Sequence, residues 1–130
     1  MAAKVITLPY DGEHYVPPAP VMSVEIDAPT RSRLNVTALI DSGSDGTLVP
    51  ANLLEAIGAR PVGEAIMTAI GGEHYAVQVY VVNVTVGSQR LPAIRVAAMA
   101  EGTEVVLGRD VLNQLTITLN GPALAAEVTE

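Results

Sequence analysis

From Val21 onward the chain is a succession of short apolar, β-prone runs separated by turn residues. Val21 to Ile26 and Arg33 to Ile40 flank Asp27-Ala28-Pro29-Thr30 and predict a hairpin. Pro50 to Ile57 predicts a short helix, with proline near its start and Gly58 past its end. Ala65 to Ile70 and Tyr75 to Val86 predict two strands around a Gly71-Gly72 turn, and Gly87-Ser88 turns into a further strand, Leu91 to Ala98. Val105 to Leu107 reads as a short strand, Asp110 to Leu115 as a helical stretch, and Thr116 to Leu119 as a last strand stopped by Gly121-Pro122. The sum is an all-β domain over residues 21–122 with two small helices. Residues 1–20, turn-rich and ending in Pro17-Pro18-Ala19-Pro20, read as an arm or linker without a core, and residues 123–130 as a tail.

Composition sharpens this picture. The 130 residues suit one domain, and 49% are apolar, enough for a real core. All four aromatic residues are tyrosines, so the core must be built from Val, Ile, Leu and Ala, which favours β-structure. The net charge of −7 and the lack of a basic stripe argue against nucleic acid as a partner. The chain has no cysteine, which excludes disulfides and thiolate chemistry. Pro9, Asp11 and Glu13 interrupt the apolar start, so neither a signal peptide nor a membrane span is expected, and the expected location is cytoplasmic.

One segment stands out: Asp41-Ser42-Gly43-Ser44-Asp45-Gly46-Thr47, set between the apolar runs Val36–Ile40 and Leu48-Val49. A carboxylate at the end of a buried strand needs hydrogen bonds, a partner or a chemical task, because desolvation disfavours its charged form. Asp45-Gly46-Thr47 has the letters of a phosphatase loop, but that chemistry needs a nucleophilic Asp two residues earlier, where Gly43 stands. A calcium loop fails at its third and twelfth positions, Gly43 and Asn52. An Asx-type turn, with the Asp satisfied by backbone N–H groups, is the structural alternative.

The loop resembles the Asp-Thr/Ser-Gly active-site loop of the aspartic proteases. Two further motifs extend the resemblance in the family's order. Val105-Val106-Leu107-Gly108-Arg109-Asp110-Val111-Leu112 is similar to the second signature of the retroviral-type members, and Ala69-Ile70-Gly71-Gly72 to their glycine-rich flap tip. Together they cover about Val21 to Gly121.

The resemblance implies a closed retropepsin-like β-barrel with a flap hairpin, hydrolysing peptide bonds with two carboxylates that share a proton. The chain supplies one Asp-Ser-Gly, so the implied active form is a homodimer with two copies of Asp41 facing across a two-fold axis. It further implies that Ser42 bonds to the other copy's loop, that Gly43 lets the backbone bend, and that a partly buried Asp45–Arg109 ion pair braces the loop. Ala69, Ile70, Gly71 and Gly72 would close over substrate. Ser44 departs from the retroviral pattern, which has Ala there. A hydroxyl donating to the carboxylate favours its ionised form and implies activity on the acid side. The implied partners are a peptide or protein substrate and a second copy of the chain, with no metal or organic cofactor.

His14 and His74 read as solvent-facing, although His74 lies on the flap, where its protonation bears on closure. Asp110 reads as a helix-start residue. The competing functional reading is a non-catalytic dimerisation or peptide-binding module on the same fold.

Overall fold

A computed structural model describes residues 4–29, 32–100 and 102–130. Met1, Ala2 and Ala3 at the head of the predicted arm, and Thr30 in the predicted hairpin turn, lie outside these residues. In chain order the elements are β1 (Val5–Pro9), β2 (Val21–Asp27), β3 (Arg33–Ile40), β4 (Leu48–Pro50), α1 (Ala51–Ala56), β5 (Pro61–Thr68), β6 (His74–Val86), β7 (Gln89–Met99), β8 (Val105–Leu107), α2 (Arg109–Leu112), β9 (Thr116–Asn120) and β10 (Ala125–Thr129).

The sequential runs pair as antiparallel hairpins: Val21 lies opposite Leu39 in β2–β3, and Val79 opposite Ala97 in β6–β7. Two parallel pairings then tie distant parts of the chain together. Ile40 at the end of β3 lies opposite Leu107 in β8, and Leu48 in β4 opposite Ala97 in β7. The strand order β2-β3-β8-β4-β7-β6 returns to β2 through a Glu25–Thr85 register, which closes a six-stranded barrel. Closure leaves those strands few open edges.

Alternation explains why the barrel holds. Val24 and Ile26 of β2, Val82, Val84 and Val86 of β6, and Ile94 and Val96 of β7 point inward and are buried, with Leu54 of α1 and Val111 of α2 in the same core. Burying each such side chain is worth about 1.5–3 kcal/mol. The near absence of aromatics is met by many interlocking β-branched side chains.

The ends depart from the sequence reading. The supposed tail contains β10, whose Ala126 and Val128 are fully buried in the core. The supposed arm contributes β1, which pairs with β10, while β10 pairs with β9. Gly121-Pro122 is therefore a hairpin turn rather than a stop, closed by Leu124 N–H donating to Gly121 C=O at 2.9 Å. The alternation in Ala125-Ala126-Glu127-Val128-Thr129 is too short and too alanine-rich to announce a strand. Strand β5 begins at Pro61, before the predicted Ala65, because its ladder with β6 holds it rather than an apolar pattern of its own. No helix among the described residues is long and apolar enough to cross a membrane.

Candidate active site

The loop after β3 is anchored at both sides by backbone. Ile40 N–H donates to Pro20 C=O at 3.0 Å, and Asp41 N–H to Leu107 C=O at 3.1 Å. The β3–β8 pairing thus brings the two sequence motifs together. Asp41 Oδ1 accepts the Gly43 N–H at 2.9 Å, and Asp41 C=O accepts the Ser44 N–H at 3.2 Å. This is the Asx-type turn, and it fixes one carboxylate oxygen by a backbone donor. A Cβ at Gly43 would come within 3.1 Å of that oxygen, so a side chain there would press on the carboxylate.

Arg109 stands across the loop, as the sequence implies. Its Nη2 donates to Asp45 Oδ1 at 2.5 Å and its Nη1 to Ser42 C=O at 2.7 Å, and its N–H donates to Ser44 C=O at 2.9 Å. The pair is buried on one side only: the Arg109 side chain is more than half covered, but the Asp45 side chain is 94% exposed. Its side chain extends from an exposed bend, and only the guanidinium covers it. Ser44 also departs from expectation. Its hydroxyl donates to Gly46 C=O at 2.7 Å, closing the turn toward Thr47, and so does not donate to Asp41. This hydroxyl therefore does not favour the ionised Asp41 carboxylate, and no acid-side optimum follows from it.

Sequence reasoning missed the strongest brace. Thr47 is fully buried, and its Oγ1 donates to Asp110 Oδ1 at 2.7 Å while accepting Gly108 N–H at 3.1 Å. Thr47 N–H donates to Asp110 Oδ2 at 3.1 Å. Asp110 Oδ1 also accepts Val111 N–H at 2.8 Å, so its helix-start role is real but secondary. The available signal was a hydroxyl residue placed between Gly46 and the apolar Leu48-Val49, where a polar group must find partners. Gly108 packs so close that an added Cβ would run into the backbone of Gly46.

Asp41, Gly43 and Ser44 line a cleft of about 600 Å³ whose opposite wall is Ile66, Met67, Thr68 and Ile70. The β5–β6 hairpin therefore overhangs the loop. At its tip Ala69 N–H donates to Glu73 C=O at 2.8 Å and Gly72 N–H to Ala69 C=O at 2.9 Å. Gly72, at φ +87°, takes the left-handed conformation the turn requires. Ile70 is wholly exposed, and Gly71 beside it is also exposed. His74 Nδ1 shares a hydrogen bond with Thr68 Oγ1 at 2.9 Å across the base of the turn, while His14 lies on the outer arm beside Asp11. A second, more apolar hollow of about 580 Å³ shares Leu48 and Met67 with the cleft and continues to Tyr80 and Met99.

Barrel, loop and overhanging hairpin define the fold of the retropepsin-like aspartic proteases. The structure is similar to that of a retropepsin-like aspartic protease from Rickettsia conorii, with a TM-score of 0.64 and 10% identity over 98% of this chain and 91% of that one. It is also similar to EIAV protease complexed with the inhibitor HBY-793, with a TM-score of 0.60 and 18% identity over 82% of this chain and 93% of that one. No curated protein sequence matches the chain. The model of the family described as "gag-polyprotein putative aspartyl protease" matches residues 30–114, and the chain belongs to that family.

Proposed function

We propose that the protein is an aspartic endopeptidase, active as a homodimer in which two Asp41 carboxylates share one proton. The observation that carries this reading is the placement of Asp41 on the wall of a cleft overhung by the flap hairpin, with Oδ1 held by a backbone N–H. In the dimer the ionised carboxylate takes a proton from a water molecule, which attacks the peptide carbonyl carbon. The protonated carboxyl donates to the carbonyl oxygen, and the proton taken from water passes to the leaving nitrogen. Ser42, exposed on the loop, bonds to the partner's loop, and Ala69, Ile70, Gly71 and Gly72 close over the bound peptide and exclude water.

The test is cleavage of an unfolded protein by the wild type and by Asp41→Asn, with and without a hydroxyl-bearing transition-state mimic such as pepstatin. The asparagine keeps the shape and cannot cycle a proton, so activity should vanish while the fold persists. Wild-type protein that dimerises and binds peptide without cutting it would favour the non-catalytic module.

A further inference from the structure

The cleft contains a side chain that the catalytic reading leaves without a role. Arg95, on β7, is exposed and lines the same cleft as Asp41. Among the described residues it makes no ion pair and no side-chain hydrogen bond, and it is the sole cation on the cleft wall. Arg109, the other arginine nearby, is held by Asp45 and Ser42 C=O. The position of Arg95 is fixed by backbone: Ala97 N–H donates to Thr47 C=O at 3.0 Å, and Leu48 lies opposite Ala97 in the parallel β4–β7 ladder. Arg95 stands two residues, about 7 Å, before Ala97 along β7, beyond the start of β4 at Leu48 and so on the side of the loop. Ala97, its neighbour on the same strand face, is small, and Ala93 on the other side falls in a bulge of β7, at φ +57°.

Resting on the proteolytic reading, we propose that Arg95 is a specificity-determining residue that selects peptides carrying an acidic side chain at a position away from the scissile bond. A planar guanidinium presents paired N–H donors that match a carboxylate, and a peptide entering the cleft brings this group the partner it lacks. The bland alternative is a solvated arginine on an outer strand. It does not account for a single uncommitted cation in a cleft whose other charged residues are Asp41, Asp45 and Glu64. Glu64 across the cleft would repel a carboxylate placed on the β5 side, which confines the acidic side chain to the β7 wall. In the proposed dimer the two-fold repeats the arrangement, so the preference appears on both sides of the cut.

The test is a peptide series in which Glu, Gln or Lys is placed in turn at each position around one cleavage site. kcat/KM is measured for the wild type, Arg95→Gln and Arg95→Glu. The wild type should favour Glu over Gln at a distal position by about three- to tenfold, expressed mainly in KM. The ratio should fall to about one in Arg95→Gln and shift in favour of Lys in Arg95→Glu, and it should shrink as salt is added. A wild type that cuts but shows the same Glu:Gln ratio as Arg95→Gln at every position overturns the acidic preference alone. A wild type that cuts no peptide of the series overturns the proteolytic reading and this inference with it.

Discussion

Thr47 and Asp110, 63 positions apart, are joined by two hydrogen bonds: Thr47 Oγ1 to Asp110 Oδ1 at 2.7 Å and Thr47 N–H to Asp110 Oδ2 at 3.1 Å. This junction, more than the neighbouring ion pair, ties the Asp41 loop to α2. It is buried on the Thr47 side and combines a charged acceptor with two donors, the arrangement in which hydrogen bonds count most.

Removing the hydroxyl should therefore be costly. Thr47→Val keeps the shape but leaves Gly108 N–H without its acceptor and Asp110 Oδ1 short of a donor. A loss of about 2–3 kcal/mol is expected. Thr47→Ser keeps the hydroxyl and should cost only about 1 kcal/mol for the lost methyl. Urea denaturation with an unchanged m-value measures both. A valine variant as stable as the serine variant would mean that the buried hydroxyl contributes little.

Gly108→Ala tests the packing of the same junction. The backbone at Gly108, φ −92° and ψ −177°, is open to any residue, so space is the only obstacle. The added methyl would meet the backbone of Gly46, which cannot retreat while Thr47 is held by Asp110. Overpacking of this kind costs about 1–3 kcal/mol, and more against fixed backbone. Gly63→Ala, where an added Cβ meets nothing within 4 Å, is the control and should be close to neutral in a thermal melt.

The Asp45–Arg109 pair should be weaker than its sequence motif suggests. With Asp45 almost fully exposed, the coupling from a double-mutant cycle of Asp45→Ala and Arg109→Ala should lie near 0–1 kcal/mol. Arg109→Ala alone should cost more than Asp45→Ala alone, because Arg109 also holds Ser42 C=O. Arg109→Lys should not restore this, since one ammonium cannot reproduce the two-pronged contact. A coupling above about 2 kcal/mol would show that the pair is buried in the functional assembly.

How far the sequence carries can be read from these residues. The barrel strands β2, β3, β6 and β7 were legible because apolar, β-prone residues recur along each between turn letters, most densely in β6. The meeting of Asp45 and Arg109 was legible only through the resemblance of both motifs to the retroviral-type pattern, in which these two positions pair. The direction of a hydroxyl was not: Ser44 has both Asp41 and Gly46 C=O within its local reach, and only the turn geometry decides between them. Strand β10 was hidden because two alanines and a proline-led turn carry no periodic signal, and its burial is imposed by β1 and β9 on either side. Thr47 and Arg95 escaped notice for a related reason. What makes each informative is a neighbour brought by the parallel pairings, which local sequence does not announce.

The far end of the end sheet carries a pH-sensitive contact. Glu130 Oε2 accepts the Ser88 hydroxyl at 2.5 Å and Oε1 accepts the Ser88 N–H at 2.8 Å. The hydroxyl first, and the N–H second, hold its carboxyl below the usual carboxylate range. A folded-state value below the unfolded one means that the contribution is complete above the ordinary value and is lost as pH falls through the folded one. Protection of the Ser88 amide in hydrogen exchange should decline over that acid range, and Glu130→Gln should remove the pH dependence. Protection that stays level on acidification in the wild type would place the carboxylate elsewhere in solution.

Folding and activity should respond differently to dilution. The end sheet β1-β10-β9 is completed within one chain, and Ala126 and Val128 of β10 belong to that chain's own core. Strand β10 is therefore paired on both sides without a partner chain, while β1 and β9 form the outer edges of that sheet. The proposed dyad does need one, since a single chain brings one Asp41 to its cleft. On dilution through the dimer dissociation constant, specific activity should fall roughly in proportion to the dimer fraction. Circular dichroism and amide protection of β1 and β10 should stay unchanged. Sedimentation at the same concentrations supplies the dimer fraction independently. Loss of structure in step with activity would show that the fold itself is shared between chains. Constant specific activity from a species that sediments as a monomer would end the shared-dyad mechanism.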